Sequence, residues 1–286
     1  MPSRSAYGAV IALALAVGAG AEDSAGDRPI DDLLAPWWPR MSDSLPTGFA
    51  VLGGGVAGAG AEVGAWAGGL HHPNPRWSWG MAVGASFTST GLGGPFPNQV
   101  VSGTAVVGGW RRFGLDDHLV LLAIPGASRA DVGPAGVGGT ALAAWIHRGG
   151  RSTWWLFGTL ATTTTDSSPL ALPLVGLFAA RGRWDLLLTP VYSSAVCHIT
   201  QVADIGAWAG IAGWSAPIDG GGHVATWQGR GAVRGRWSPA PHWQLVIDAG
   251  LVLGGWASRD GPADDDLVRR RVPPGPLLLT SLAVSW

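Results

Sequence analysis

The chain has 286 residues, 47% of them apolar and only 13% charged, with a net charge of −1. An ordinary soluble domain carries about 25% charged residues and a disordered chain combines low hydrophobicity with high net charge, so neither class fits. The near-zero charge excludes the basic field of a nucleic-acid binder, and 46 glycines exclude a helix-rich fold, since each costs about 1 kcal/mol in a helix interior relative to alanine.

The first predicted element is an export signal. Arg4 supplies a short positive region, the run from Ala6 to Ala21 is apolar, and Ala19-Gly20-Ala21 before Glu22 has the small-residue spacing of a cleavage site. The run is alanine- and glycine-rich and falls short of the roughly 20 residues of a spanning helix. Residues 1–21 are therefore expected to be removed as a signal peptide. Residues 22–46 form a polar lead-in containing Pro36-Trp37-Trp38-Pro39, expected in the periplasm. The single cysteine, Cys197, cannot form an intramolecular disulfide.

From residue 47 to 286 the texture is uniform. Apolar segments alternate with Gly/Pro/Asp/Ser clusters, the signature of many strands. Over 76–88 one phase holds Trp77, Trp79, Met81, Val83, Ala85 and Phe87, and the other holds Ser78, Gly80, Ala82, Gly84, Ser86 and Thr88. Over 242–253 one phase holds Trp243, Leu245, Ile247, Ala249, Leu251 and Leu253, facing Gln244, Val246, Asp248 and Gly250. In 224–237, Trp227 and Val233 oppose Thr226, Gln228, Arg230, Ala232, Arg234 and Arg236. Strands this long exceed the usual globular length of about 5–6 residues and match a tilted membrane strand. Bulky apolar side chains on one phase and small or polar ones on the other predict lipid outside and a lumen inside. The expected fold is all-β: a transmembrane, antiparallel, up-and-down β-barrel. Fourteen segments are candidates. Because 183–190 with 194–200, and the whole of 49–70, each read as one strand, the expected number is 12, within a range of 10–14. The longer connections 89–98, 215–222 and 257–274 are expected to be extracellular loops.

Tryptophans mark the strand ends. Trp77, Trp79, Trp110, Trp145, Trp154, Trp184, Trp237 and Trp243 flank short turns, where an aromatic girdle meets the membrane interface. Arginines such as Arg111, Arg148 and Arg181 cluster at the same turns.

Within the strands, Arg230, Arg234 and Arg236 share one phase, and Glu62, Asp204 and Asp248 occupy the small-residue phase of others. Charge behind an apolar exterior must meet water or an opposite charge, so all six are candidate lumen residues. Two arrangements follow from the sequence: opposed basic and acidic walls with a transverse field, as in a solute pore, or charges that pair and fill a closed barrel. Glu62-Val63-Gly64-Ala65-Trp66-Ala67-Gly68 and Asp204-Ile205-Gly206-Ala207-Trp208-Ala209-Gly210 echo each other, with acid and tryptophan facing inward in both.

The final segment, Leu277-Leu278-Leu279-Thr280-Ser281-Leu282-Ala283-Val284-Ser285-Trp286, alternates and stops on an aromatic. It resembles the terminal strand of Gram-negative outer-membrane β-barrel proteins, of a barrel family without a characterised function. The resemblance implies a bacterial outer-membrane location, contact with outer-membrane lipid, and a barrel-insertion machinery that reads Trp286.

Signals for chemistry are weak. No G-x-S-x-G elbow occurs, and Ser194 and His198 lie in one phase of one strand, about 13 Å apart, too far for direct proton transfer. Gly53-Gly54-Gly55-Val56-Ala57-Gly58 has no following helix to make a phosphate site. His71-His72 points to two faces, and the acidic stretch 260–266 lacks calcium-loop spacing. No enzyme activity, cofactor or metal is expected. The expected function is a passive pore for small polar solutes. The competing reading is a closed barrel with a structural or surface role, with a membrane-embedded hydrolase behind it.

Overall fold

The computed structural model describes residues 48–285, apart from 57–59, 75, 115, 132, 165–166, 220–221, 241–242 and 262–266. The expected signal peptide, the lead-in and Trp286 lie outside the described residues. Among the described residues sixteen strands form, and no helix. They are β1 (Gly48–Val56), β2 (Gly60–Asn74), β3 (Trp77–Ser89), β4 (Gln99–Arg112), β5 (Asp117–Ala130), β6 (Ala135–Gly150), β7 (Thr153–Thr164) and β8 (Ser167–Arg181). The rest are β9 (Trp184–Leu188), β10 (Tyr192–His198), β11 (Ala203–Ala212), β12 (Ser215–Ile218), β13 (Gly222–Ala240), β14 (Trp243–Asp260), β15 (Val268–Val272) and β16 (Gly275–Ser285).

Antiparallel pairing runs from β1 through β11 in sequence, then β11 to β13, β13 to β14, β14 to β16, and β16 back to β1. The ring closes with Gly48 opposite Ser285 and Val56 opposite Leu277. Fourteen strands make the wall, while β12 and β15 are short strands within long connections. The count is thus fourteen, above the central value of 12 and at the upper end of the expected range of 10–14. The two segments read as single strands are both hairpins, β1–β2 and β9–β10. In the second, Thr189 and Pro190 cut the strand. The Thr189 hydroxyl donates to the Tyr192 carbonyl at 2.6 Å and accepts from the Tyr192 N–H at 3.0 Å, closing a tight turn.

Closure abolishes the free edges of a sheet and satisfies the backbone without water, as a membrane demands. The alternation sorts side chains as the sequence implies. Met81, Val83, Val107, Leu121, Val233, Leu251 and Leu253 are exposed on the outer face, and Ala82, Val106, Ile124, Ala232 and Val252 are buried on the inner one. One bulge resets this alternation. Between Gly229 and Arg230 the β13–β14 register shifts, with Leu253 unmatched, and β14 turns through Gly254 at φ +116°. That backbone region suits glycine alone. Inward residues are even-numbered up to Val252 and odd-numbered from Gly255 to Ala257.

Both ends of the described chain lie at one end of the barrel, where β2 meets β3, β4 meets β5, β6 meets β7, β8 meets β9, β10 meets β11 and β13 meets β14. The longer connections lie at the far end, as expected, but two boundaries differ. Residues 257–260 continue β14 because they pair with β13, and 215–218 form β12. The β9–β10 hairpin is low. It covers β8 only from Leu177 to Arg181, so among the described residues β8 from Ser167 to Gly176 has no ring partner on that side. Pro169 and Pro173 fall in this stretch. Proline lacks the N–H a ladder needs, so it belongs on such an edge.

Candidate functional site

The interior of the ring is the candidate site. All six charged residues expected in the lumen occupy the buried phase of their strands, and they meet one another. Arg234 and Asp248 are direct partners on β13 and β14, joined at 2.7 and 3.1 Å through two nitrogens and two oxygens. Asp248 also accepts the Trp208 indole N–H at 2.9 Å, and the Arg234 guanidinium lies 5.8 Å from the Trp208 ring centre. Asp204 and Arg236 are direct partners on β11 and β13 and form an ion pair. Arg230 reaches Glu62 at 3.4 Å, although β14, β16 and β1 separate their strands. The last contact is a chord across the lumen. Of the two arrangements the sequence left open, the structure has the paired one: each of the three arginines meets a carboxylate. Charge buried behind an apolar wall is expensive unless paired in this way.

Sequence reasoning missed two features. His198 sits between two carboxylates, with Nδ1 2.8 Å from Asp204 and Nε2 2.7 Å from Asp185. Asp185 carried no motif, because the β9–β10 register that brings it to His198 is a tertiary fact. With both ring nitrogens committed, His198 has none left to serve Ser194 as a base. Among the described residues no cluster of three or more His, Cys, Asp or Glu side chains could hold a metal.

The second missed feature is a cap over the far mouth. The connection from β11 to β13 folds inward, and β12 packs against β5 and β6 while pairing with β13. The Ser128 hydroxyl on β5 donates to the Ser215 carbonyl at 2.6 Å. Strand β5 is the seventh neighbour of β13 in either direction, through β14–β16–β1–β2–β3–β4 or through β11–β10–β9–β8–β7–β6. The segment thus spans the full bore. Leu92, Phe96, Trp214, Ala216 and Ile218 form one buried apolar cluster with the wall residues Val100 and Val224 and with Val272 of β15. Arg259 and Arg270 donate to the carbonyls of Pro95 and Leu92, fastening the 90–98 loop to β14 and β15. Trp214 Nε1, Ser215 Oγ and Thr226 Oγ1 are buried in this cap with no hydrogen-bond partner among the described residues.

Below the cap, Trp66 packs with Leu122 on Ala82, Val106 and Ile124. An added Cβ at Gly84 would lie 2.3 Å from the Trp66 indole, so the glycine makes room for it. Ser78, Thr140, Thr162, Gln228, Gln244 and Ser281 are also buried on the inner phase.

The expected girdle divides. Trp77, Trp79, Trp145, Trp184, Trp237 and Trp243 are exposed on the outer face. Trp110 and Trp154 are not girdle residues: they are 6% and 3% exposed and point inward. Their neighbours Arg111 and Trp155 take the outer phase, because adjacent strand residues face opposite sides. Trp154 packs on Ile146 and Phe178 inside the barrel.

No protein-family model and no curated protein matches the chain. Among solved structures it is similar to the P. putida toluene transporter TodX, at 10% identity and a TM-score of 0.36, over 84% of this chain and 89% of that one. A TodX mutant described as a monoaromatic hydrocarbon channel has 10% identity and a TM-score of 0.33, over 96% and 98% of the two chains. The outer-membrane protease OmpT of Escherichia coli has 11% identity and a TM-score of 0.23, over 84% and 94%. At these scores the likenesses carry nothing about substrate or activity.

Proposed function

We propose that the chain is a bacterial outer-membrane pore for small uncharged solutes, closed at its outer mouth by its own loops. Membrane placement follows from the apolar outer face, with the short turns in the periplasm and the long loops outside. The observation that carries the pore reading is the fourteen-strand ring with a glycine-, alanine- and threonine-rich inner phase. Wall side chains fill a barrel of about 8 strands, and a ring of fourteen has the circumference for a bore that the cap would cover. Pairing of the three lumen arginines with Glu62, Asp248 and Asp204 weakens any field that would favour an ion of one sign, which narrows the expected polar solutes to uncharged ones. The uncovered stretch of β8 above the β9–β10 hairpin adds a side route past the cap.

The test is conductance of refolded protein in planar bilayers, with liposome swelling in a pentose. Wild type is expected to open rarely, and replacement of 213–218 by a Gly-Ser linker to lengthen and enlarge the openings. If neither protein conducts or swells, the pore is wrong and the closed barrel stands, a reading the Arg230–Glu62 chord favours.

A further inference from the structure

On the outer face near the short turns, Trp77, Arg111, Leu119 and Trp145 form a row of register partners across β3, β4, β5 and β6. The Arg111 guanidinium carbon lies 5.0 Å from the Trp77 ring centre and 4.7 Å from that of Phe113. Phe113 stacks on Trp145 at 5.3 Å. The Trp145 indole N–H donates to Asp117 at 2.9 Å, and His147 Nδ1 meets the same carboxylate oxygen at 2.9 Å. The nearby acid is thus engaged elsewhere. Among the described residues no carboxylate or carbonyl meets the Arg111 guanidinium, whereas Arg148, at the next turn, is used up by the Gly150 and Arg151 carbonyls.

Ring contacts hold a guanidinium by its faces and leave the N–H groups along its edge unused. That edge is the fork that binds an oxyanion through two parallel hydrogen bonds. From this geometry we infer that Arg111 is the core of a binding site for the phosphate of an inner-leaflet phospholipid. Phospholipid is favoured over a free phosphate by the continuity of the site with Trp79, Met81, Val107 and Leu121, exposed apolar side chains that would lie along the acyl chains. Trp77 and Phe113 hold the fork at this height on the wall. The inference rests on the membrane placement proposed above but not on the pore.

The experiment is native mass spectrometry of the refolded full-length barrel in detergent. Dioleoyl phosphatidylglycerol is titrated against wild type and Arg111→Gln, with dioleoylglycerol as the phosphate-free control and inorganic phosphate as competitor. Wild type is expected to retain one phosphatidylglycerol that Arg111→Gln binds on the order of tenfold more weakly. Arg111→Lys, which keeps the charge but loses the fork, should fall between. Dioleoylglycerol should bind both proteins equally, and inorganic phosphate should not displace the lipid. Equal retention of phosphatidylglycerol by wild type and Arg111→Gln would overturn the site. So would dioleoylglycerol held as tightly as phosphatidylglycerol, or displacement by inorganic phosphate. Heat-modifiable gel mobility and insertion into liposomes report membrane placement separately. A variant that passes both yet loses the lipid has lost the site and not the barrel.

Discussion

Arg234 and Asp248 form the tightest knot of the interior. Two nitrogens meet two oxygens, the Trp208 N–H adds a third donor to the carboxylate, and the Asp248 side chain is only 3% exposed. Arg234→Ala leaves that carboxylate with the indole alone, and removing one member of a buried pair costs about 3–5 kcal/mol. Urea unfolding of the barrel in micelles should show a loss of this size. The triple variant Arg234→Met, Asp248→Leu and Trp208→Phe should recover most of it, because apolar partners need no desolvation of charge and the phenyl ring leaves no stranded indole N–H. The sequence placed both residues in the lumen through phase alone. It could not pair them, since pairing depends on the β13–β14 register.

At the scale of elements, the β11–β13 connection decides the state of the mouth. Its grip on the opposite wall includes the Ser128–Ser215 hydrogen bond, and its burial leaves polar atoms without a partner among the described residues at Trp214 and at Thr226 of β13 beside it. An unsatisfied buried donor costs about 1–3 kcal/mol, so the cap is held less firmly than its apolar packing suggests. Trp214→Phe removes the stranded indole N–H while keeping a ring. It should shift the cap toward the closed state, shortening open dwell times about tenfold in single-channel records. Ser128→Ala removes the anchor across the bore and should change dwell times in the opposite direction. The 215–222 segment read as a plain loop because a four-residue strand carries too few residues to show alternation.

For the whole molecule, closure is the organising fact. β16 is held by β14 on one side and β1 on the other, so it completes the ring. Deleting 277–286 exposes the edges of β1 and β14 to lipid, where unmet backbone groups cost several kcal/mol each. The truncated chain should give no folded band of altered mobility in unboiled gels and should stay in the aqueous aggregate fraction. The same argument explains the low charge of the chain. A ring with lipid outside and paired charges inside needs few charged side chains, and among the described residues those it has lie near strand ends, in the connections or at lumen positions.

What the sequence determined by itself was everything set by period and by side-chain volume. Strict alternation gave the strands, the bulky phase gave the outward face, and the positions of Glu62, Asp204, Arg230, Arg234, Arg236 and Asp248 gave the lumen charges. These properties are local, because a strand turns successive side chains to opposite faces wherever it lies. Alternation also carried enough information to place Trp110 and Trp154 inside. Proximity to turns misled, because a girdle depends on phase as well as height. Tertiary structure alone decided the count of fourteen, the carboxylates on either side of His198, the chord from Arg230 to Glu62 and the cap across the bore. Each of these depends on which strands become neighbours or face one another across the ring. That is fixed by register and closure, and no single segment records it.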